Sequence, residues 1–229
     1  TKVIIGGVYT YRSTDAGVNF SSLNTTNPGL HADDHAIERN PLNGNLYLGN
    51  DGGIYRSTDN GVTWTNISLN LVINEFYRIS GYQDNGHLIL GGTQDNGHFL
   101  RESNTSAFKK VLGGDGMDNI IDYSNSNTMY ACFQNGGINK SINGGTNWTS
   151  ITTPDIGDWI TPILQSPAAS NTIFYGSNSG VLRSTDAGSS WVNIGGLNKA
   201  SVLAISNFGG RLIVVGEVTG GYEVKKCDN

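Results

Sequence analysis

The chain contains the octapeptide Ser57-Thr58-Asp59-Asn60-Gly61-Val62-Thr63-Trp64, whose pattern Ser-x-Asp-x-Gly-x-x-Trp returns along the sequence. We call each copy a repeat turn. The four copies begin at residues 13, 57, 141 and 184, so the intervals are 44, 84 and 43 residues. The middle interval spans two periods, which indicates a decayed copy near residues 102–104. A period near 43 residues, flanked by strand-like segments, predicts the blades of a β-propeller.

The composition of the repeat turn has a physical explanation. An Asp or Asn at the third position can accept hydrogen bonds from backbone N–H groups across a tight turn. The Gly at the fifth position supplies the positive φ angle that the turn needs, and the aromatic residue at the eighth starts the next strand and packs between sheets. The four sets are Ser13, Asp15, Gly17 and Phe20; Ser57, Asp59, Gly61 and Trp64; Ser141, Asn143, Gly145 and Trp148; and Ser184, Asp186, Gly188 and Trp191.

This pattern is the Asp-box, or BNR repeat, and the chain resembles the Asp-box β-propellers. The resemblance implies an all-β fold of four-stranded antiparallel blades, in which the repeat turn is a folding element. We place the blades at residues 1–30, 31–74, 75–114, 115–157, 158–198 and 199–229, and name the strands of each blade A to D. Both terminal pieces contain B and C strands, so they cannot complete one another. We therefore expect about 5.5 blades of a larger propeller of seven or more, with a closed six-bladed ring as the alternative.

Composition and charge exclude several classes of function. The net charge is −5 with only 14 Lys and Arg and no basic run, so a nucleic-acid partner is not expected. No segment is long and apolar enough to span a membrane. The chain begins at Thr1 without a signal peptide, so we expect that a leader or a preceding domain was removed. Cys132 and Cys227 fall two blades apart and are not expected to pair with each other.

The antiparallel order of the strands predicts where chemistry can lie. Turns after A and C strands lie at one end of a blade, with the repeat turns, and turns after B and D strands lie at the other. The unusual polar motifs all fall in B–C or D–A loops, which we call the loop side, where propellers place ligands. These motifs are His31-Ala32-Asp33-Asp34-His35, Gly49-Asn50-Asp51-Gly52-Gly53, Gly91-Gly92-Thr93-Gln94-Asp95-Asn96-Gly97 and Gly113-Gly114-Asp115-Gly116-Met117-Asp118.

The first of these motifs suggests a metal site. His31, Asp33 and His35 alternate along a strand predicted at residues 31–38, so their side chains would point to one side. Two histidines and one carboxylate can form a metal-binding set. The alternative is an inner strand whose polar side chains bond a neighbouring loop. A structural Ca²⁺ is the one cofactor that we consider for the chain.

The remaining motifs suggest a glycan site. Carboxylates of Asp51, Asp95 and Asp115, from successive blades, would shift each other's pKa if they crowded one rim, as in glycosidases; plain β-turns are the alternative. Trp159 is the only Trp outside a repeat turn and begins a predicted A strand at 159–165. It is either a sugar-stacking platform or a core residue between blades. The ligand-binding candidates are His31, Asp33, His35, Asp51, Gln94, Asp95, Asn96, Asp115 and Trp159.

A closer resemblance covers about residues 30–150, through the quoted loop motifs, the C strand Ile54-Tyr55-Arg56-Ser57 and the segment Glu75-Phe76-Tyr77. These residues look like the propeller modules of large secreted bacterial proteins, often exported through type IX secretion. The chain is similar, more distantly, to the sortilin (Vps10) propeller and to two-propeller xyloglucanases. In those xyloglucanases a Thr-Asp-Val-Gly-Gly turn carries a catalytic Asp, and here the turn Asn50-Asp51-Gly52-Gly53 is one residue shorter.

Sialidases share the repeat turn, but their activity is not expected here. They need three converging arginines and an Arg-Ile-Pro signature, where this chain has Arg39-Asn40-Pro41. Four arginines occupy equivalent positions at the ends of C strands and are therefore interpreted as part of the repeat. These are Arg12, Arg56, Arg101 and Arg183.

The sequence thus leaves three hypotheses for function. The first is a secreted or cell-surface propeller that acts as a binding or structural module of a larger protein. Its partners would be the other domains of that longer chain and a polysaccharide or cell-surface protein. The second is a fragment of a xyloglucanase-like glycoside hydrolase that uses the acidic loops. The third is a sortilin-like peptide-binding channel.

Overall fold

The computed structural model describes residues 1–69, 71, 73–104, 107–195, 197–206 and 211–227. Over this part of the chain, 22 strands form six antiparallel sheets, and the helical content is one three-residue 3₁₀ turn, Gln134–Gly136. The chain divides into two units, Thr1–Asn74 and Glu75–Asn229. Every sheet consists of strands that follow one another in sequence and in space, which is the arrangement of propeller blades.

The first unit contains a three-stranded sheet, ordered β1-β2-β3, and a four-stranded sheet, ordered β4-β5-β6-β7. The strands of the first sheet are β1 Val3–Ile5, β2 Tyr11–Ser13 and β3 Ser21–Ser22. Those of the second sheet are β4 Asp34–Arg39, β5 Leu46–Asn50, β6 Gly53–Ser57 and β7 Thr65–Asn66.

The second unit contains three four-stranded sheets and one of three strands. The first is β8 Phe76–Tyr82, β9 Asn85–Thr93, β10 Gly97–Arg101 and β11 Lys109–Leu112. The second is β12 Gly116–Ile121, β13 Met129–Phe133, β14 Ile138–Ser141 and β15 Thr149–Ile151. The third is β16 Ile163–Gln165, β17 Ile173–Ser177, β18 Gly180–Ser184 and β19 Val192–Asn193, and the fourth is β20 Lys199–Ile205, β21 Leu212–Val218 and β22 Gly221–Cys227.

Two strands begin later than the sequence predicts. β4 begins at Asp34 and not at residue 31, because Asp33 has a φ of 60° and interrupts the extended backbone. β16 begins at Ile163 and not at residue 159, because Trp159 lies in a turn. The predicted order of four antiparallel strands in each complete blade is otherwise confirmed. The outer D strands β7, β15 and β19 pair over only two or three residues.

The hydrophobic core lies in layers between successive sheets. One cluster joins the second and third sheets of the second unit through Tyr130, Tyr175 and their neighbours. Another packs Phe174 against Leu212 and Val214 of the last sheet. Because both faces of β17 are covered in this way, all five of its residues are buried, which is why such a strand reads as a continuous apolar run.

The aromatic residues of the repeat turns pack as predicted in three of the four copies. Trp64, Trp148 and Trp191 are half-buried and each packs against a core cluster. Phe20 is 40% exposed, because it immediately precedes β3 of the first sheet, which has no earlier sheet in the described chain to cover it.

All four repeat turns adopt one hydrogen-bond pattern. The Ser hydroxyl accepts the N–H of the Gly and donates to the Asp or Asn side chain, which accepts the N–H of the seventh residue. The Gly-to-Ser distances are 2.9, 2.8, 2.9 and 2.8 Å in chain order. The Gly φ angles are 91°, 79°, 80° and 91°, which L side chains rarely adopt.

The carboxylates of these turns are strongly hydrogen-bonded in their charged form. The N–H of Asn19 is the largest cause that lowers the pKa of Asp15 to about 2. The hydroxyl and N–H of Ser190 do the same for Asp186, whose pKa is also lowered to about 2. Such a carboxylate stabilises the folded turn above its ordinary pKa and loses that effect in strong acid.

Cations at the ends of C strands join neighbouring blades. Arg12 Nε donates to the carbonyl of Asn60 at 3.0 Å, and Lys140 Nζ donates to the carbonyl of Ala187 at 2.9 Å. Both acceptors are the fourth residue of the next repeat turn and have positive φ angles, 60° and 57°. For Arg12 the structure therefore supports the interpretation that the arginine belongs to the repeat.

Candidate functional site

In the first unit, the acidic loop between β5 and β6 is hydrogen-bonded to His35 of β4 and to the segment that precedes β4. His35 Nε2 lies 2.5 Å from Asp51 Oδ1, and this hydrogen bond is the main cause that raises the pKa of His35. Asn50 donates to the carbonyl of His31 at 2.9 Å and accepts the N–H of Gly52 at 3.0 Å. The side chains of His35 and Asp51 are thus held against each other.

The structure does not support the geometry of the predicted histidine metal set. His31 and Asp33 precede β4, and the φ of 60° at Asp33 breaks the alternation that would align them with His35. The N–H of Asp33 donates to Val8 at 3.0 Å, and His31 Nδ1 lies 3.1 Å from the carbonyl of Ala32. The prediction that these three side chains share one side of a strand is therefore wrong.

A different pair of oxygen ligands comes together in this unit. One carboxylate oxygen of Asp33 and one of Asp51 lie within 4.8 Å of each other. Carboxylate oxygens are the ligands that hard cations such as Ca²⁺ prefer. The carboxylate of Asp51 is also paired with His35, so one of its oxygens already has a partner within the protein.

In the second unit, Asp115 holds the loop that contains Asp95. Its Oδ1 accepts the N–H of Asp95 at 2.8 Å, and Asp95 itself has a φ of 59°. The N–H of Gln94 donates to Glu75 at 3.0 Å, and that of Asn96 donates to Gln94 at 2.6 Å. The structure therefore brings Asp95 and Asp115 together, but the contact joins the carboxylate of Asp115 to the backbone N–H of Asp95.

Close backbone contacts hold the strands on both sides of this loop, against β12 of the next sheet at Gly92 and against β11 of the same sheet at Gly97. A Cβ atom on Gly92 would lie 2.0 Å from the carbonyl oxygen of Met117, and one on Gly97 would lie 2.0 Å from that of Leu112. Only glycine allows the strands to approach this closely. The glycines of the motif Gly91–Gly97 therefore serve packing as well as turning.

Trp159 lies in the long connection between β15 and β16. Its residue is 47% exposed, so it is neither a core residue between blades nor part of a strand. The adjacent Asp158 forms an ion pair with Lys199 at 2.8 Å, which lowers the pKa of Asp158 and raises that of Lys199. Of the two interpretations of Trp159, exposure favours a binding platform.

The structure also contains a cavity that the sequence did not indicate. It has a volume of about 790 Å³ and is lined by the inner strands β8, β12, β16 and β20 of the second unit. The loop residues 94–96 and 115 are not part of its lining. Polar lining residues include Ser80, Asp118, Asn119 and Gln165.

The polar groups of this cavity connect neighbouring inner strands. Asp118 Oδ2 accepts the N–H of Ile163 at 3.2 Å, and Gln165 Oε1 accepts the N–H of Tyr123 at 3.2 Å. Asn119 Nδ2 donates to the carbonyl of Arg78 at 3.2 Å. Burial raises the pKa of Asp118. These side chains satisfy the backbone edges of inner strands that have no further strand beside them.

Two other expectations concern the whole chain. No described helix is long and apolar enough to cross a membrane. Cys132 is a buried free thiol, and burial raises its pKa well above the ordinary value. The side chain of Cys227 lies outside the described part, so the expectation that the two cysteines do not pair with each other rests on Cys132 alone.

Comparison with solved structures settles the fold class. The chain is similar to an ancestral GH74 enzyme, at 20% identity and a TM-score of 0.57, over 89% of this chain and 31% of that one. The fold is that of a β-propeller, present in part. It is also similar to the extracellular domain of the hybrid two-component system BT3049 from B. thetaiotaomicron (12% identity, TM-score 0.53, 96% of this chain and 33% of that one).

A third propeller, YCF48 bound to a D1 peptide, matches at 15% identity and a TM-score of 0.50, over 96% of this chain and 73% of that one. No family model and no curated protein matches the chain. The chain spans about a third of the length of the GH74 and BT3049 propellers. At these identities the likeness concerns the fold alone.

Proposed function

We propose that the chain is a binding or structural module of a larger secreted or cell-surface protein, with a glycan or protein ligand on the loop side. The observation that carries the proposal is that two of the predicted catalytic carboxylates have roles in the scaffold. Asp51 is paired with His35, and Asp115 accepts the N–H of Asp95. These hydrogen bonds engage both carboxylates within the protein, which supports a role for them in holding the loops.

The proposal includes membership of the Asp-box propellers and export, through type IX secretion, as part of a longer chain. Its support is the common hydrogen-bond pattern of the four repeat turns, together with the loop motifs of residues 31–118. The extracellular BT3049 domain has the same fold at a TM-score of 0.53 and is part of a larger protein.

The cavity of the second unit also favours binding over hydrolysis. Glycoside hydrolases use two carboxyl groups that flank the scissile bond. Asp118 is the single carboxyl group among the described residues that line the cavity. Both of its oxygens accept backbone N–H groups, from Asn119 and Ile163. The described lining of the cavity therefore provides one of the two carboxyl groups that hydrolysis needs.

A glycoside hydrolase is the second candidate, and one observation favours it. Burial raises the pKa of Asp118, as expected of a general acid, and this carboxyl group borders a cavity of glycan size. The likeness to an ancestral GH74 enzyme agrees with this candidate in fold. Its second carboxylate would have to come from elsewhere in a longer protein.

The test measures binding and sugar release in parallel. The purified chain is screened on a glycan array and on soluble polysaccharides, and a reducing-sugar assay follows each polysaccharide, beside the variants Asp51→Ala, Asp95→Ala and Asp118→Asn. Asp84→Ala, in the exposed turn between β8 and β9, is the control. We expect no sugar release from any variant. Release by the wild type that Asp51→Ala or Asp118→Asn abolishes would overturn the proposal.

A further inference from the structure

A connected group of charged side chains and one tyrosine hydroxyl lies beside Trp159 on the second unit. Asp158 contacts Lys199 at 2.8 Å, Lys199 lies 3.9 Å from Glu217, and the hydroxyl of Tyr222 donates to Glu217 at 3.3 Å. Trp159 follows Asp158 in the chain, and the backbone N–H of Trp159 donates to Asp158 Oδ1 at 2.8 Å. We call these five residues the aromatic patch.

Three elements of the loop side assemble the patch. Asp158 and Trp159 belong to the connection between β15 and β16, a D–A loop. Lys199 begins β20 and pairs in register with Glu217 of β21. Glu217 in turn pairs with Tyr222 of β22, beside the B–C hairpin. The topology alone therefore brings residues some sixty positions apart to one end of neighbouring blades.

The two aromatic side chains are exposed, although each has a large apolar surface. Trp159 is 47% exposed and Tyr222 is 73% exposed. The three other Trp residues are half-buried against core clusters. Trp159 and Tyr222 therefore keep apolar surface in water that is available to a ligand.

The connection that contains Trp159 is rigidly fastened. The N–H of Gly157 donates to Asn135 at 3.1 Å, and the N–H of Asn178 donates to Ile156 at 2.9 Å. The hydroxyl of Thr161, a fully buried residue, donates to the carbonyl of Asp158 at 2.7 Å. A platform that is already ordered loses little entropy when it binds a ligand.

We propose that the aromatic patch binds the neutral pyranose rings of a glycan, with ring C–H faces against Trp159 and Tyr222 and hydroxyls on the charged groups. This inference rests on the proposed binding function and names its ligand class and its residues. The carboxylates accept hydrogen bonds from sugar hydroxyls, and the ammonium group of Lys199 donates to them. Charge-assisted hydrogen bonds of this kind are the stronger ones.

The charges of the patch distinguish a glycan from other ligands. Lys, Glu and Asp are depleted in the cores of protein interfaces, yet three of the five patch residues are of these types. Two carboxylates and one ammonium group also leave a net charge of −1, which disfavours uronic and sialic acids. A neutral, hydroxyl-rich ligand satisfies both conditions.

The experiment is affinity electrophoresis of the purified chain in gels that contain a neutral β-glucan, a galactomannan, a xylan or, as the acidic comparison, polygalacturonate. The variants are Trp159→Ala, Trp159→Phe and Tyr222→Ala. Tyr9→Ala is the matched control, because Tyr9 is a 50% exposed aromatic residue of the first unit. Urea unfolding of each variant verifies that its fold is intact.

We expect at least one neutral polysaccharide to retard the wild type and polygalacturonate to leave it unaffected. Trp159→Ala should weaken the retardation at least tenfold in apparent affinity, Trp159→Phe should restore part of it, and Tyr9→Ala should match the wild type. Retardation that persists in Trp159→Ala, or no retardation by any neutral polysaccharide, would overturn the inference. Sugar release by the wild type that Asp51→Ala or Asp118→Asn abolishes would instead overturn the proposed function, so the two failures are distinguishable.

Discussion

Acid should destabilise the second unit through His98, a residue of β10 with no exposed surface. Neither ring nitrogen has a hydrogen-bond partner, and the ring lies edge-on to Phe133 at 5.5 Å between centroids. Burial lowers the pKa of His98 from 6.5 to about 4. The nearby backbone of Asp118 raises the pKa of His98 by a smaller amount, although the contact between the two does not have the geometry of a hydrogen bond.

The direction and size of the effect follow from proton linkage. The unfolded chain binds a proton at this histidine below pH 6.5, whereas the folded chain binds it only near pH 4. Stability is therefore complete above pH 6.5 and is lost as the pH falls from 6.5 toward 4. At about 1.4 kcal/mol per pKa unit, we expect a loss of roughly 2 kcal/mol between pH 7.5 and 5.

The assay compares urea unfolding of the wild type and His98→Leu at pH 7.5, 6.5, 5.5 and 5. Leucine cannot bind a proton. The free energy of unfolding of His98→Leu should therefore fall less than that of the wild type over this pH range, and the difference between the two falls should be roughly 2 kcal/mol. The raised pKa of buried Asp118 acts in the opposite direction, but it is common to both proteins. Exposed His87→Leu, in the adjacent strand β9, is the control and should behave as the wild type. If His98→Leu and the wild type lose equal stability, the reasoning is refuted.

Three further predictions concern backbone and turn geometry. Ser57→Ala leaves the buried N–H of Gly61 without its acceptor and should cost about 1–3 kcal/mol in urea unfolding. Gly92→Ala would place a methyl group 2.0 Å from the carbonyl oxygen of Met117, so we expect loss of soluble folded protein, measured by circular dichroism. Asp186→Asn should retain its turn and lose less thermal stability than the wild type when the pH falls from 5 to 2, because the pKa of Asp186 is about 2.

Each of these predictions has an internal control. Thr58→Ala changes an exposed hydroxyl of the same turn as Ser57 and should leave stability unchanged. Gly86→Ala adds its methyl group where no atom lies within 4 Å, and it should fold. Asn143 already occupies the position of Asp186 in another repeat turn and accepts the same N–H bond, at 2.8 Å. Equal loss in Ser57→Ala and Thr58→Ala, or in Gly92→Ala and Gly86→Ala, would contradict the first two arguments, and equal loss in Asp186→Asn and the wild type would contradict the third.

The fold could be predicted because its signal is local and repeated. Within one octapeptide, Ser57 bonds Asp59 and Gly61 at separations of two and four residues. A pattern of this length survives in the sequence and marks its own period. The late start of β4 was missed because a positive φ at a non-glycine residue, here Asp33, leaves no clear mark in the sequence.

The candidate site was predicted less well, because its contacts join different blades. Asp118 meets Ile163 at a separation of 45 residues, and Gln165 meets Tyr123 at 42. These separations are close to one period, so a repeat-based register could have indicated them. The sequence alone could not show that polar side chains in inner strands satisfy neighbouring backbone groups and not a ligand.

The same reasoning separates scaffold from binding surface. A polar residue whose partner lies about one period away, as for Asn119 and Arg78 at 41 residues, repeats the spacing of the blades and stabilises their order. The two aromatic residues of the patch depart from this rule, because Trp159 and Tyr222 are exposed and no core cluster of the described residues includes them. Apolar surface left in water costs about 25 cal/mol for each Å². An exposed Trp on a fastened loop therefore contributes little to folding, which agrees with the binding role that we propose for Trp159.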